Sequence, residues 1–271
     1  MPSTPTLTNT LDLILCELNE AKNNTDQFID ALHQKQIPHL SFSQVAAVEF
    51  CPRRYQLQYI ELVELKPTPM YFIKGKIFHQ VIAQTYQSIQ SQEELDPLHL
   101  TEWIDSEVNP DHRNHMHNAT KVMLENLWQG YEIEGIEQPF VLIIDPNLPP
   151  CVGVIDLILC QGDQFIVIDH KTGRDFYEED MMQMALYGLF IQEKYPDGKC
   201  SFYYDHYRWV NHLGRIRKPA FIRNQVTISV SEQEQALERM RQGFYKIDQI
   251  RRTGKANKDG QCFLCPYRRN C

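Results

Sequence analysis

Four cysteines stand at opposite ends of this chain of 271 residues, in an arrangement that has a use only if the two ends meet. Cys51 is alone in Cys51-Pro52-Arg53-Arg54-Tyr55, whereas Cys262, Cys265 and Cys271 form a C-x2-C-x5-C run. Four converging thiolates hold either an iron–sulfur cluster or a zinc ion, and either one would clip shut whatever folds between them. No other feature constrains the topology as much, because residue 51 must then be a neighbour of residues 262–271. The remaining cysteines, Cys16, Cys151, Cys160 and Cys200, have no ligand spacing and lie in mostly apolar surroundings. They are expected as core-filling thiols.

Metal ligation is favoured over a disulfide framework because the chain reads as cytosolic. Its start, Met1-Pro2-Ser3-Thr4-Pro5, lacks the basic residues and apolar run of a signal peptide, and no stretch approaches a membrane span. The net charge of −8 hides an asymmetry. Residues 1–200 carry 13 Lys+Arg against 29 Asp+Glu, or −16, while residues 201–271 carry 14 against 6, or +8. A basic C-terminal quarter on an acidic body can offer phosphates a local surface, and it can equally be a solvated, arginine-rich helix face.

Apolar periodicity predicts one or two peripheral helices over residues 8–36, broken near Asn23-Asn24. Ser41 or Ser43 is expected to cap a helix reaching Tyr59, and a further helix should begin near Lys74-Gly75 and carry His79. Residues 91–135 read as helical and polar, with Asp111-His112-Arg113-Asn114-His115-Met116-His117 in their middle. Beyond Pro139 the period changes. Residues 140–144, 151–159 and 164–169 are β-branched, apolar runs, and Gln161-Gly162-Asp163 suits a tight hairpin. A helix over 178–195, strands over 201–210 and 225–230, and a last helix capped by Ser231 with Glu234 complete a mixed α/β pattern.

Two of these strands carry acids where an apolar residue is expected, in Gly153-Val154-Ile155-Asp156 and in Asp169-His170-Lys171-Thr172-Gly173. A carboxylate in an apolar strand is costly unless it is paired or binds a cation. A hairpin would set Asp156 beside Asp169, where the two can share Mg²⁺ or Mn²⁺. Lys171, two residues beyond Asp169, points to the same face and can orient or deprotonate water and offset phosphate charge. A buried Asp–Lys pair at a strand end satisfies the same spacing. His112, His115 and His117 lie in a polar segment without a matching acid or cysteine of metal-site spacing and read as surface residues. Arg53, Arg54, Arg268 and Arg269 suit phosphate contacts and structural ion pairs equally well.

Asp156, Asp169-His170-Lys171-Thr172-Gly173 and Gln183-Met184-Ala185-Leu186-Tyr187 closely resemble the active site of the PD-(D/E)XK nucleases, in particular the RecB-like branch. The resemblance implies a restriction-endonuclease-like fold, a central mixed β-sheet flanked by helices. It also implies that Asp156 and Asp169 bind Mg²⁺ or Mn²⁺, that Lys171 is catalytic, and that Gln183 and Tyr187 support the site and the DNA strand. Gly75-Lys76-Ile77-Phe78-His79 matches the segment that brings a metal-ligating histidine in this branch, and the main-chain carbonyl of His170 is a further ligand by the same analogy. The cysteines resemble those of iron–sulfur nucleases, including AddB-like proteins and a CRISPR adaptation nuclease. A [4Fe-4S] cluster on Cys51, Cys262, Cys265 and Cys271 is thereby implied, with zinc as the competing occupant.

The resemblance divides the chain into peripheral N-terminal helices at 1–40 and a nuclease domain at 41–271, with a helical insertion at 91–135. It departs from the family pattern in three ways: no proline precedes Asp156, the second strand acid is Asp rather than Glu, and the 91–135 stretch is additional. The implied activity is a metal-dependent exonuclease on single-stranded DNA ends or flaps, with protein partners in repair or CRISPR adaptation and no membrane association. The alternatives are an inactive nuclease-fold DNA-binding adaptor and a zinc-stapled interaction domain.

Overall fold

The computed structural model describes residues 7–21, 24–93, 96–177, 179–259 and 265–271. Helices α1 (Leu7–Ala21) and α2 (Thr25–Gln34) come first, and then α3 (Phe42–Phe50) and one short turn, α4 (Pro52–Tyr55). A π-helical turn over Gln56–Ile60 leads towards α5 (Met70–Ser91), α6 (Pro97–Glu107) and α7 (Pro110–Glu125). The strands are β1 (Glu132–Leu142), β2 (Cys151–Gln161) and β3 (Gln164–Gly173), followed by α8 (Met181–Lys194), β4 (Lys199–Arg208), β5 (Phe221–Val226) and α9 (Val230–Thr253).

The five strands lie in the sheet in sequence order. Only β3 and β4 run parallel, and the crossover that this demands is α8; the other neighbours are antiparallel. Alternation along β3 sends Phe165 and Val167 into a core shared with α3, α8 and α9, and Ile166 and Ile168 into a second core shared with α5, α6 and α7. The result is an α/β/α sandwich with the sheet in the middle, consistent with the restriction-endonuclease-like fold. Helices α1 and α2 close a smaller cluster around Ile14, Phe28 and Leu32, which touches the sheet through Val152. No helix among the described residues is long and apolar enough to cross a membrane.

Several boundaries differ from the sequence reading, each for a physical reason. The helix expected to run to Tyr59 breaks at Cys51, whose backbone is extended before Pro52. Ser41 does cap α3, accepting the Gln44 amide at 3.2 Å. The first strand begins at Glu132 rather than beyond Pro139, because β1 is an edge strand with only β2 beside it, and an edge tolerates proline. Helix α9 is capped by Ser229, not Ser231: the Ser229 hydroxyl accepts the Glu232 amide at 3.2 Å, and the Glu232 carboxylate accepts from the Ser229 amide at 2.6 Å. The last strand accordingly ends at Val226, ahead of that cap. Of the cysteines expected in the core, Cys151 is buried and Cys160 and Cys200 partly so, but Cys16 is exposed on α1.

Candidate active site

The pairing of β2 with β3 runs from Gln161 opposite Gln164 to Leu157 opposite Ile168 and stops there. The two strands then part, and Asp156 and Asp169 stand at the mouth of the fork. The Asp156 Oδ2 atom accepts the main-chain N–H of His170 at 2.7 Å. His79, on α5, brings Nδ1 to 3.5 Å from Asp156 Oδ1 and 3.9 Å from Glu137 Oε1. On the other side of the fork, Lys171 Nζ lies 2.7 Å from Asp169 Oδ2 and donates to Gln183 Oε1 at 2.9 Å. Gln183 Nε2 donates to the Tyr187 hydroxyl at 2.7 Å. That hydroxyl has the Val154 carbonyl at 2.8 Å and Asp169 Oδ1 at 3.3 Å as acceptors. Four residues apart on α8, Gln183 and Tyr187 thus form one rigid bracket behind the lysine.

Glu137 is the residue that sequence reasoning missed. Ile136 pairs with Leu157 and Gln138 with Ile155, so Glu137 faces Asp156 across the β1–β2 ladder. Like charges in that relation repel. Glu137 also holds φ +46°, a left-handed conformation that a non-glycine residue keeps only where its surroundings impose it. An acid in an apolar strand was a usable signal, as at Asp156, but taking Pro139 as the strand's start put Glu137 outside it.

His79, Glu137 and Asp156 place one ligand atom each within 4.8 Å of one another, so this group can hold a metal ion. One imidazole and two facing carboxylates form a donor set that a divalent cation satisfies and that two bare acids do not. Asp169 lies on the lysine side of the fork and is felt by Asp156 through its charge.

Electrostatics separate the two aspartates. Burial would raise Asp156, but His79 and the His170 amide outweigh it and hold its pKa at about 2. Burial and the charge of Asp156 push Asp169 up to about 6, against the pull of Lys171. Glu137 is raised, by burial first and by Asp156 as well. Burial disfavours the cationic forms of His79 and Lys171, yet the carboxylates beside them win, and both are raised. The His170 side chain lies on the other face of β3, 2% exposed, where burial lowers its pKa to about 4. Its ring lies 6.5 Å from that of His79, and its main-chain N–H is what bonds Asp156.

The family model described as the PD-(D/E)XK nuclease superfamily matches residues 39–271. The chain belongs to the PD-(D/E)XK nuclease superfamily. A solved structure named "Putative exonuclease", from Eubacterium rectale, superposes with a TM-score of 0.55 over 86% of this chain and 88% of that one. At 9% identity that likeness shows the fold alone. The structure of SSO0001 aligns with a TM-score of 0.40 at 16% identity, over 86% and 85% of the two chains, too distant to carry an argument. No curated protein matches the chain.

Away from the fork of this PD-(D/E)XK chain, the cysteine ends meet as the sequence required. Cys51 is 3% exposed and Cys265 6%. The Cys265 thiol is pushed up by burial and further by the charges of Cys271 and Cys51, so the three sulfurs share one neighbourhood. Cys265 and Tyr267 pack on Leu57, and the Asn257 carbonyl accepts the Arg53 amide at 3.0 Å. Cys262 lies outside the described residues. A thiol pushed up by burial and by its neighbours, beside two further sulfurs, is a donor set that a metal centre resolves by binding it as thiolate.

Part of the basic C-terminal quarter is structural. Arg223 makes two 2.8 Å bonds to the buried Asp205 carboxylate, and Arg239 bridges Asp180 on the approach to α8 and Glu49 of α3. Arg241 pairs with Asp145. Arg53 pairs with Glu61, and Arg54 lies over the Phe50 ring. Of the three histidines read as surface residues, His117 meets an acid that sequence distance concealed, Asp105 at 2.9 Å.

Proposed function

We propose that this protein is a metal-dependent deoxyribonuclease of the RecB-like branch, an exonuclease acting on single-stranded ends or flaps. The observation that carries the reading is the fork itself, which sets a His–Glu–Asp group on one side and the Asp169–Lys171–Gln183–Tyr187 chain on the other. Mg²⁺ or Mn²⁺ would be held by His79, Asp156 and Glu137, with Asp169 and the His170 carbonyl as the further ligands that the family resemblance implies, and would supply Lewis acidity towards the scissile phosphodiester. The protein's own groups supply the proton chemistry. Asp169 keeps the proton on Lys171; once the Asp169 charge is neutralised, burial favours the free amine. Lys171 Nζ then takes a proton from the attacking water as its oxygen bonds to phosphorus and the P–O bond to the leaving nucleoside oxygen breaks. Gln183 and Tyr187 hold the amine on line. They also border a cavity with Phe42, Tyr59 and Phe140, suited to the unpaired strand.

The cysteines favour a [4Fe-4S] cluster on Cys51, Cys262, Cys265 and Cys271, whose work is to fasten the C-terminal tail to the α3–α4 junction. Residues 41–271 form the catalytic unit, with α1 and α2 peripheral. DNA is the substrate, and repair or CRISPR adaptation the setting that suits such an enzyme. The test is cleavage of labelled single-stranded DNA across Mg²⁺ and Mn²⁺. Lys171→Ala should lose about 10²–10⁴-fold in rate. Cleavage retained in that variant would place the chemistry elsewhere, and no cleavage by the native chain would favour an inactive DNA-binding adaptor.

A further inference from the structure

Lys74 is a buried cation that the chemistry at the fork does not use. It sits on α5, five residues before His79, and is only 7% exposed. Its Nζ lies 4.9 Å from the centroid of the Trp209 ring and 3.3 Å from His115 Nδ1. No carboxylate among the described residues forms an ion pair with it. Burial pulls its pKa down, and the charge of Arg174 pulls it down further.

The surroundings repeat that bias. His115 is lowered by burial and by Lys74, His112 and Arg174. The ring of His112 is 6.0 Å from that of His115, and its Nδ1 is buried without a hydrogen-bond partner. His115 Nδ1 accepts from Lys74, but a buried cation that meets a neutral imidazole and the charge of Arg174 without a carboxylate is costly unless an anion completes it. The ring reaches solvent through Arg174, which is exposed, and His115, which is partly so.

Its position is as informative as its charge. A β-carbon on Gly75, the residue after Lys74, would lie 3.8 Å from the Thr172 hydroxyl, and Thr172 follows Lys171 on β3. Arg174 comes immediately after β3, and the Trp209 amide donates to the Gly173 carbonyl at 2.7 Å. Lys74 and its neighbours therefore stand at the end of the strand that carries Lys171, on the opposite face of the sheet. A strand whose scissile phosphate lies at the fork has further phosphates on either side of it.

We propose that Lys74, His112, His115 and Arg174 form a phosphate subsite that grips the backbone of the substrate strand beside the scissile linkage. The proposal rests on the nuclease reading and deepens it, and it gives the histidines of the 91–135 insertion a use. Lys74 acts as a point charge and Arg174 as an exposed guanidinium fork that meets the incoming phosphate.

The test uses the full-length protein and a fluorescent single-stranded oligonucleotide, with Ca²⁺ in place of Mg²⁺ to suppress hydrolysis. Lys74→Met keeps the apolar stem and removes the charge. It should weaken binding and lower the slope of log affinity against log salt by about 0.7, the share of one phosphate contact on a single strand. Its melting temperature should hold or rise. Arg174→Ala, at an exposed position, should lower the slope by a similar amount. Neutral methylphosphonate linkages walked along the oligonucleotide should reveal one position, away from the scissile one, where native binding suffers and Lys74→Met binding does not.

An unchanged slope in both variants, or a Lys74→Met variant that loses stability with binding intact, would make Lys74 a structural residue and overturn the subsite. Competition by inorganic phosphate with no sensitive linkage would assign the pocket to a free anion and overturn the strand assignment. A native protein that neither binds nor cuts DNA refutes the nuclease reading itself, whereas cleavage with Lys74→Met indistinguishable from native refutes the subsite alone.

Discussion

Asp156 and Asp169 are the same residue type at one fork, yet their pKa values stand at about 2 and about 6. The difference comes from what each one touches. Asp156 has His79 and the His170 amide, both of which favour its charge; Asp169 has burial and the charge of Asp156 against it. A cation that uses Asp169 must compete with its proton below about pH 6 and meets an open carboxylate above it. Mn²⁺ affinity measured calorimetrically should therefore fall as pH drops from 7 towards 5, and the raised pKa of His79 adds to the fall because its proton must also leave; an unchanged affinity at pH 5 would exclude Asp169 as a ligand. Asp156, Asp169 and Lys171 could be proposed from strand alternation and an expected hairpin, and Gln183 and Tyr187 from the resemblance to the family motif. Glu137 was not legible, since its role depends on which residue lies across a ladder, and neither was Lys74, whose lack of a carboxylate partner among the described residues is a property of three elements together.

At the scale of elements, the joint between α2 and α3 is held by a neutral histidine. His39, 3% exposed, has Nδ1 at 2.7 Å from the Ile37 carbonyl and Nε2 at 2.7 Å from Gln44 Nε2. Nδ1 therefore donates and Nε2 accepts, and burial lowers its pKa to about 4 from an ordinary 6.5. As pH falls below 6.5 the unfolded chain takes up a proton that the folded chain refuses until about pH 4, so stability is lost across that window. The loss from this one group is at most about 3 kcal/mol. Urea midpoints at pH 7 and pH 5 should fall more for the native chain than for His39→Gln; an equal fall in both would remove His39 as the cause. The helices and strands were mostly legible from periodicity. Their ends were less so, because Pro139 reads as a terminator until β1 is known to be an edge, and because Ser229 and Ser231 each offer a capping hydroxyl followed by a glutamate three residues on.

Over the whole molecule, Cys51 and Cys265, remote in sequence, are brought into one neighbourhood. The α/β/α body needs no clip to assemble its sheet, and among the described residues the segment after α9 reaches the α3–α4 region through Asn257 with Arg53, Gly254 with Gln56, and Cys265 and Tyr267 on Leu57. A metal centre there would stabilise by joining parts remote in sequence. Anaerobic purification is expected to give about four irons per chain, with matching sulfide. Cys51→Ser should lose that iron and lower the melting temperature; one zinc and no iron would keep the clip and replace its occupant. The meeting of the two ends was legible from cysteine spacing alone. The fate of the basic C-terminal quarter was not, because charge counts cannot show that Arg223, Arg239 and Arg241 are already paired with acids.

The central claim is that the fork between β2 and β3 is a divalent-cation centre. Mn²⁺ titration followed by electron paramagnetic resonance tests it most directly, on the native chain and on Asp156→Asn, which keeps the side chain's shape and removes its charge. Saturable Mn²⁺ binding in the native chain, lost or weakened at least about tenfold in the variant, is the predicted result. Native and variant chains that bind Mn²⁺ equally, or a native chain that binds none, would contradict it.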